Sequence, residues 1–102
     1  DNLSYDKGCF YIAVPDCIKD MEPVASHWQE HNALGEALIA GLSNNGAKIN
    51  GQGSMKIDLT QTSYSTIPSV DIELGNQCSD HNDSRLETLR DGLIDGIRRY
   101  FE

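Results

Sequence analysis

"SVDIELG", residues 69 to 75, places Val70, Ile72 and Leu74 on one side of an extended chain and Asp71 and Glu73 on the other. This is the period-two pattern of a β-strand with one apolar face. Strands covered by helices on both faces are normally apolar throughout, and this one carries two carboxylates roughly 6.5 to 7 Å apart along the strand. They stand just before Gly75 and the polar loop "NQCSDHND" (76 to 83). Two readings follow. In open α/β sheets ligands bind beyond the carboxyl ends of strands, which would place Glu73 for chemistry. Otherwise the segment is an edge strand with one wet face.

Working outward, "CFYIAV" (9 to 14) is an apolar run stopped by Pro15 and reads as a buried strand. "PDCIKDMEPVA" (15 to 25) is a loop. Ser26 and Gln29 have capping-box spacing, so a helix is expected to begin there, with Leu34, Ala37, Leu38, Ala40 and Leu42 supplying its apolar face. "SNNG" (43 to 46) ends it through a glycine suited to the left-handed cap. The glycine-rich "NGQG" that follows favours turns, and one short strand is expected near 54 to 59.

The last twenty residues show the strongest periodicity. With Asp83 or Ser84 as N-cap, Leu86, Leu89, Leu93, Ile94, Ile97, Tyr100 and Phe101 share one helical face that must dock on something apolar. The order of strands and helices predicts a single α/β unit over residues 1–102, a mainly parallel sheet flanked by helices.

The 16 acidic against 8 basic residues give a net charge of -8, and no basic stripe exists to neutralise phosphates, so nucleic acid is excluded as a partner. No stretch approaches the ~20 apolar residues of a membrane span, and "DNLSYDKG" lacks the basic start and apolar middle of a signal peptide. Cys9, Cys17 and Cys78 allow one disulfide, for instance Cys9 with Cys17, or three reduced thiols.

The stretch "IPSVDIELGNQCSDHNDSRLETLRDGLIDGIRRYF" (67 to 101) resembles the end of the zinc-dependent N-acetylmuramoyl-L-alanine amidases of the amidase-3 type. Those close with a proline, a strand ending in Glu, a Gly, an Asn-containing loop with an acidic residue, and a helix finishing in Gly-Ile and an aromatic pair. Upstream, Gly8 with "CFYIAV" is similar to the strand after the family's last metal histidine, and "NALGEALIAGLSNNG" to its next helix.

The resemblance implies a peptidoglycan hydrolase, secreted or in the cell envelope, that cuts between N-acetylmuramic acid and L-alanine. Zinc held by two histidines and a glutamate polarises the carbonyl, and a second glutamate moves the proton of the zinc-bound water. Glu73 matches that second glutamate, a role that calls for a pKa raised toward neutrality. Asp71 departs from the family, which has an apolar residue there. The family's metal ligands would precede residue 1. The chain is therefore expected to be the C-terminal half of a larger α/β amidase domain, inactive alone, with exposed sheet edges that favour self-association or a missing N-terminal segment.

One motif stands apart. "SHWQEHN" (26 to 32) spells H-x-x-E-H with His27, Glu30 and His31, the inverted zinc-protease order. Two histidines at i and i+4 share a helix face and could reach one ion, though a catalytic zinc needs a third ligand, for which Glu87 is a candidate. The alternative is a pair of solvated side chains in a first helical turn. A non-enzymatic binding module, or a small zinc protein built on this stretch, is the rival function. His81, in the polar loop, could approach substrate. The sequons at Asn2 and Asn82 are weak patterns.

Overall fold

The computed structural model describes residues 8–56, 64–75 and 83–102. Its elements are β1 (Cys9–Ala13), a 3-10 turn (Asp16–Ile18), α1 (Val24–Asn44), β2 (Ile49–Lys56), β3 (Ile72–Glu73) and α2 (Asp83–Phe101). Cys78, His81, the sequons at Asn2 and Asn82, and the expected strand residues 57 to 59 lie outside the described residues.

β1 is buried at all five positions, as its apolar run requires. It forms the middle of the described sheet, in the order β2-β1-β3. The β1–α1–β2 crossover returns the chain parallel to β1, as a helical connection must. β3 pairs with β1 antiparallel. The α/β class expected is met, and the described sheet is mixed, half parallel and half antiparallel: the chain comes back along β1 without a second described helical crossover, and antiparallel pairing needs none.

β2 is longer and starts earlier than expected. Its glycines do not end it, because the strand takes up extra residues as an irregularity: Cys9 pairs with Ile49, but Tyr11 pairs with Ser54. Gly53, at φ +86°, fits such a deviation.

Helix α1 begins at Val24, ahead of the expected Ser26. The Ser26–Gln29 box does not form. Instead the Glu22 carboxylate accepts the Ser26 N–H at 2.9 Å and the Ser26 hydroxyl at 2.7 Å, so the acidic partner comes from before the helix and complements its positive end. The helix stops as its sequence suggests. The Asn45 backbone N–H reaches the Gly41 and Leu42 carbonyls, and Gly46 follows at φ +90°.

The face of α1 toward the sheet is cut to fit. A methyl on Gly35 would fall inside the Tyr11 ring. A methyl on Gly41 would collide with the backbone of Gly92 and Gly96, and one on Gly92 would lie 2.7 Å from the Leu42 Cα. The helices α1 and α2 thus meet backbone to backbone across three glycines, two of them spaced four apart, as small residues permit. Cys9, Leu42 and Leu89 form the buried centre, with Ile39, Ile72 and Leu93 against it. Beyond the seam, Asp95 accepts hydrogen bonds from Asn44, Asn45 and Arg99. Desolvation pushes its carboxyl up, yet the bond from Arg99, with those from the two asparagines, leaves it below the usual range.

The single docking face expected for α2 divides in two. Leu89 is 3% exposed, whereas Leu86, Ile94, Ile97 and Phe101 are 50%, 46%, 49% and 79% exposed. Because Gly92 and Gly96 let α1 approach so closely, the seam runs along Leu89, Gly92, Leu93 and Gly96 and leaves the neighbouring apolar stripe outside.

Candidate functional site

The position of Glu73 follows from the β1–β3 pairing. Glu73 lies opposite Phe10 and Ile72 opposite Tyr11, while the Ile12 N–H donates to the Asp71 carbonyl at 2.9 Å. Ile72 packs into the buried centre with Leu42 and Leu89. Side chains alternate across a strand, so Asp71 and Glu73 belong to the sheet face turned away from α1. The alternation holds, but the strand expected over 69 to 75 is confined to Ile72–Glu73.

Of the two positions left open for this strand, it takes the edge one, and Glu73 is exposed. Glu73 does not stand at the carboxyl ends of the parallel strands. β3 runs against β1, so its tip lies at the N-terminal end of β1, beside Phe10. The carboxyl ends of β1 and β2 carry something else: Asp16 reaches Lys19 at 2.7 Å and Lys56 at 2.9 Å. The hydrogen bond from Lys19, reinforced by that from Lys56, pulls its carboxyl down to about 2. An exposed cluster of this kind links the 3-10 turn to β2 and contributes little stability.

The H-x-x-E-H stretch is only in part the solvated turn expected: Glu30 is exposed and His27 half-buried, but His31 is sealed. His31 is 2% exposed. Its Nδ1 accepts the Ser69 N–H at 3.0 Å, and its Nε2 lies 3.2 Å from the Ser65 carbonyl oxygen. An imidazole that accepts at one nitrogen must donate at the other, so the hydrogen sits on Nε2 and neither nitrogen has a lone pair to offer a metal. Burial holds the His31 pKa below its ordinary value. His27 stacks on it at 6.4 Å between ring centroids and places its Nδ1 3.5 Å from Glu30. Glu87 is exposed on α2. Among the described residues no three His, Cys, Asp or Glu side chains gather where an ion could be held, so the described part of the chain does not fit a zinc ion.

The sequence reading missed the role of His31. No sequence signal marks it, because the groups it bonds are backbone ones that almost any residue carries. Cys9, which is buried, and Cys17, which is exposed, form no disulfide.

Among the described residues no helix is long and apolar enough to cross a membrane. Set against models of protein families, curated proteins and solved structures, the chain matches none.

Proposed function

We propose that the chain supplies the proton-carrying part of a zinc-dependent N-acetylmuramoyl-L-alanine amidase that acts on peptidoglycan, secreted or in the cell envelope. The observation that carries this reading is the pairing of Glu73 with Phe10. The two segments that resemble the amidases most usefully, "CFYIAV" and "SVDIELG", are distant in sequence yet adjacent in the sheet. Their antiparallel register brings the matching glutamate to the end of β1 where, in the family, the last metal histidine precedes the strand.

In the amidases the metal supplies carbonyl polarisation; on this reading its ligands belong to sequence preceding Asp1. The share of Glu73 is the proton. Its carboxylate takes one from the attacking water and returns it to the departing L-alanine amine, which is general base then general acid catalysis by one group. A carboxylate open to water lacks the water-excluding surroundings that proton transfer uses, so the chain alone is inactive and the β3 edge receives further protein.

The test is chemical. The gene product that carries this chain is incubated with peptidoglycan and the fragments are identified by mass spectrometry. Stem peptides released with a new free L-alanine amine, and glycan retaining its lactyl groups, are expected. Cleavage within the glycan or within the stem peptide, or no cleavage, would overturn the assignment and favour a binding module.

A further inference from the structure

We infer that His31 is a pH-sensitive latch: when neutral it fastens the 64–69 segment, and through it β3, to α1, and when protonated it releases that segment. The inference does not depend on the amidase reading and stands whatever Glu73 does.

The geometry allows only one charge state. The buried ring accepts from the Ser69 N–H at 3.0 Å and donates to the Ser65 carbonyl at 3.2 Å, both backbone groups that cannot change roles. An imidazolium carries hydrogen on both nitrogens. A proton on Nδ1 would face the Ser69 N–H, replacing an accepted bond with two opposed donors and placing a charge in a site 2% exposed.

The segment holds its own shape. The Ser65 Oγ accepts the Ile67 N–H at 3.2 Å and donates to the Ile67 carbonyl at 2.9 Å, and the Ser69 hydroxyl lies 3.0 Å from the Ser65 Oγ. It can therefore move as a unit when the ring lets go. Two residues beyond Ser69, the Asp71 carbonyl begins the pairing with β1, so the latch sits directly ahead of the strand that carries Glu73.

The charges around the ring oppose one another. His27, on α1, disfavours the imidazolium, and Glu30, also on α1, favours it, as does the Ser65 carbonyl; burial outweighs them and holds the pKa down. Neither 64–69 nor β1 contains an Asp, Glu, Lys, Arg or His, and Asp71 is the next carboxylate along the chain. The sign follows. The open segment exposes an imidazole that takes a proton at its ordinary pKa of about 6.5, while the closed one resists protonation to lower pH. The latch is fully fastened above about 6.5 and loosens as the pH falls below it.

Backbone hydrogen exchange on this chain tests the latch, with rates divided by the intrinsic rate at each pH. Between pH 7.5 and 5.5 the Ser69 amide is expected to lose about tenfold of its protection, and at both values it is expected to be less protected than the Leu42 amide in the α1–α2 seam, because the latch opens without global unfolding. The nitrogen spectrum of the His31 ring should show hydrogen on Nε2 alone at pH 7.5. His27→Gln keeps the fall at Ser69. His31→Gln, whose side-chain amide offers a donor and an acceptor without titrating, abolishes it. Ser69 protection constant within about twofold in the wild-type chain, Ser69 protection equal to that of Leu42 at both pH values, or hydrogen on Nδ1 at pH 7.5 would each overturn the proposal. These wild-type measurements decide it even if His31→Gln fails to fold.

Discussion

Helix α1 is held to two of its neighbours by opposite means. Toward α2 it offers absence: Gly41 meets Gly92 and Gly96, and the backbones touch because no side chain intervenes. Toward the 64–69 segment it offers one ring, His31, with a hydrogen bond at each nitrogen. The first contact depends on shape and is indifferent to pH. The second depends on where a single proton sits. The element that carries the candidate catalytic carboxylate hangs on the second, so its position can change while the helical pair stays intact.

The largest stability effect is expected at the glycine seam. In Gly96→Val the new Cβ lies 2.5 Å from the Leu38 Cα and 2.8 Å from the Ala37 carbonyl oxygen, and backbone cannot yield as a flexible side chain would. A loss of about 3 kcal/mol or more is predicted, equal at pH 7.5 and 5.5, read from urea unfolding. A loss below about 1 kcal/mol would mean that the helices are not in backbone contact.

The latch comes next. His31 has a pKa lowered by folding, so the stability it supports is complete above about 6.5 and declines as the pH falls, by at most ~1.4 kcal/mol per pH unit. Urea unfolding of the wild-type chain should therefore give a lower stability at pH 5.5 than at 7.5, and His31→Gln should flatten that slope. An unchanged slope in the variant would assign it to other groups. The smallest effect belongs to the outer stripe of α2. Ile97→Ala is predicted to change stability by no more than about 0.5 kcal/mol, since Ile97 is 49% exposed; a loss above about 1.5 kcal/mol would show that this face is covered.

The sequence carried the elements whose cause is local. The apolar run of β1, the cap at Asn45 and Gly46, and the α2 periodicity all act within a few residues, and each was legible. What depended on neighbours was not. The α2 heptads marked seven apolar positions but could not say that Gly92 and Gly96, not leucines, would choose the contact face. Nothing in "NGQG" distinguishes a turn from a strand irregularity until β1 is set beside it. The spacing of His27 and His31 looks the same whether the ring meets water, a metal or the Ser69 N–H.

The site divides in the same way. The alternation in "SVDIELG" correctly put Glu73 opposite the apolar face. Its edge position was one of the two readings that alternation left open, whereas its place at the N-terminal end of β1 came from the antiparallel pairing, which no pattern within the strand encodes.

The claim that Glu73 carries the proton is tested most directly by Glu73→Gln in the gene product that carries this chain, measured as hydrolysis of the muramoyl–L-alanine amide with bound zinc determined alongside. Removing a general acid–base group is predicted to lower kcat about 10²- to 10⁴-fold with zinc content and circular dichroism unchanged. A variant that turns over within about threefold of wild type would contradict the account.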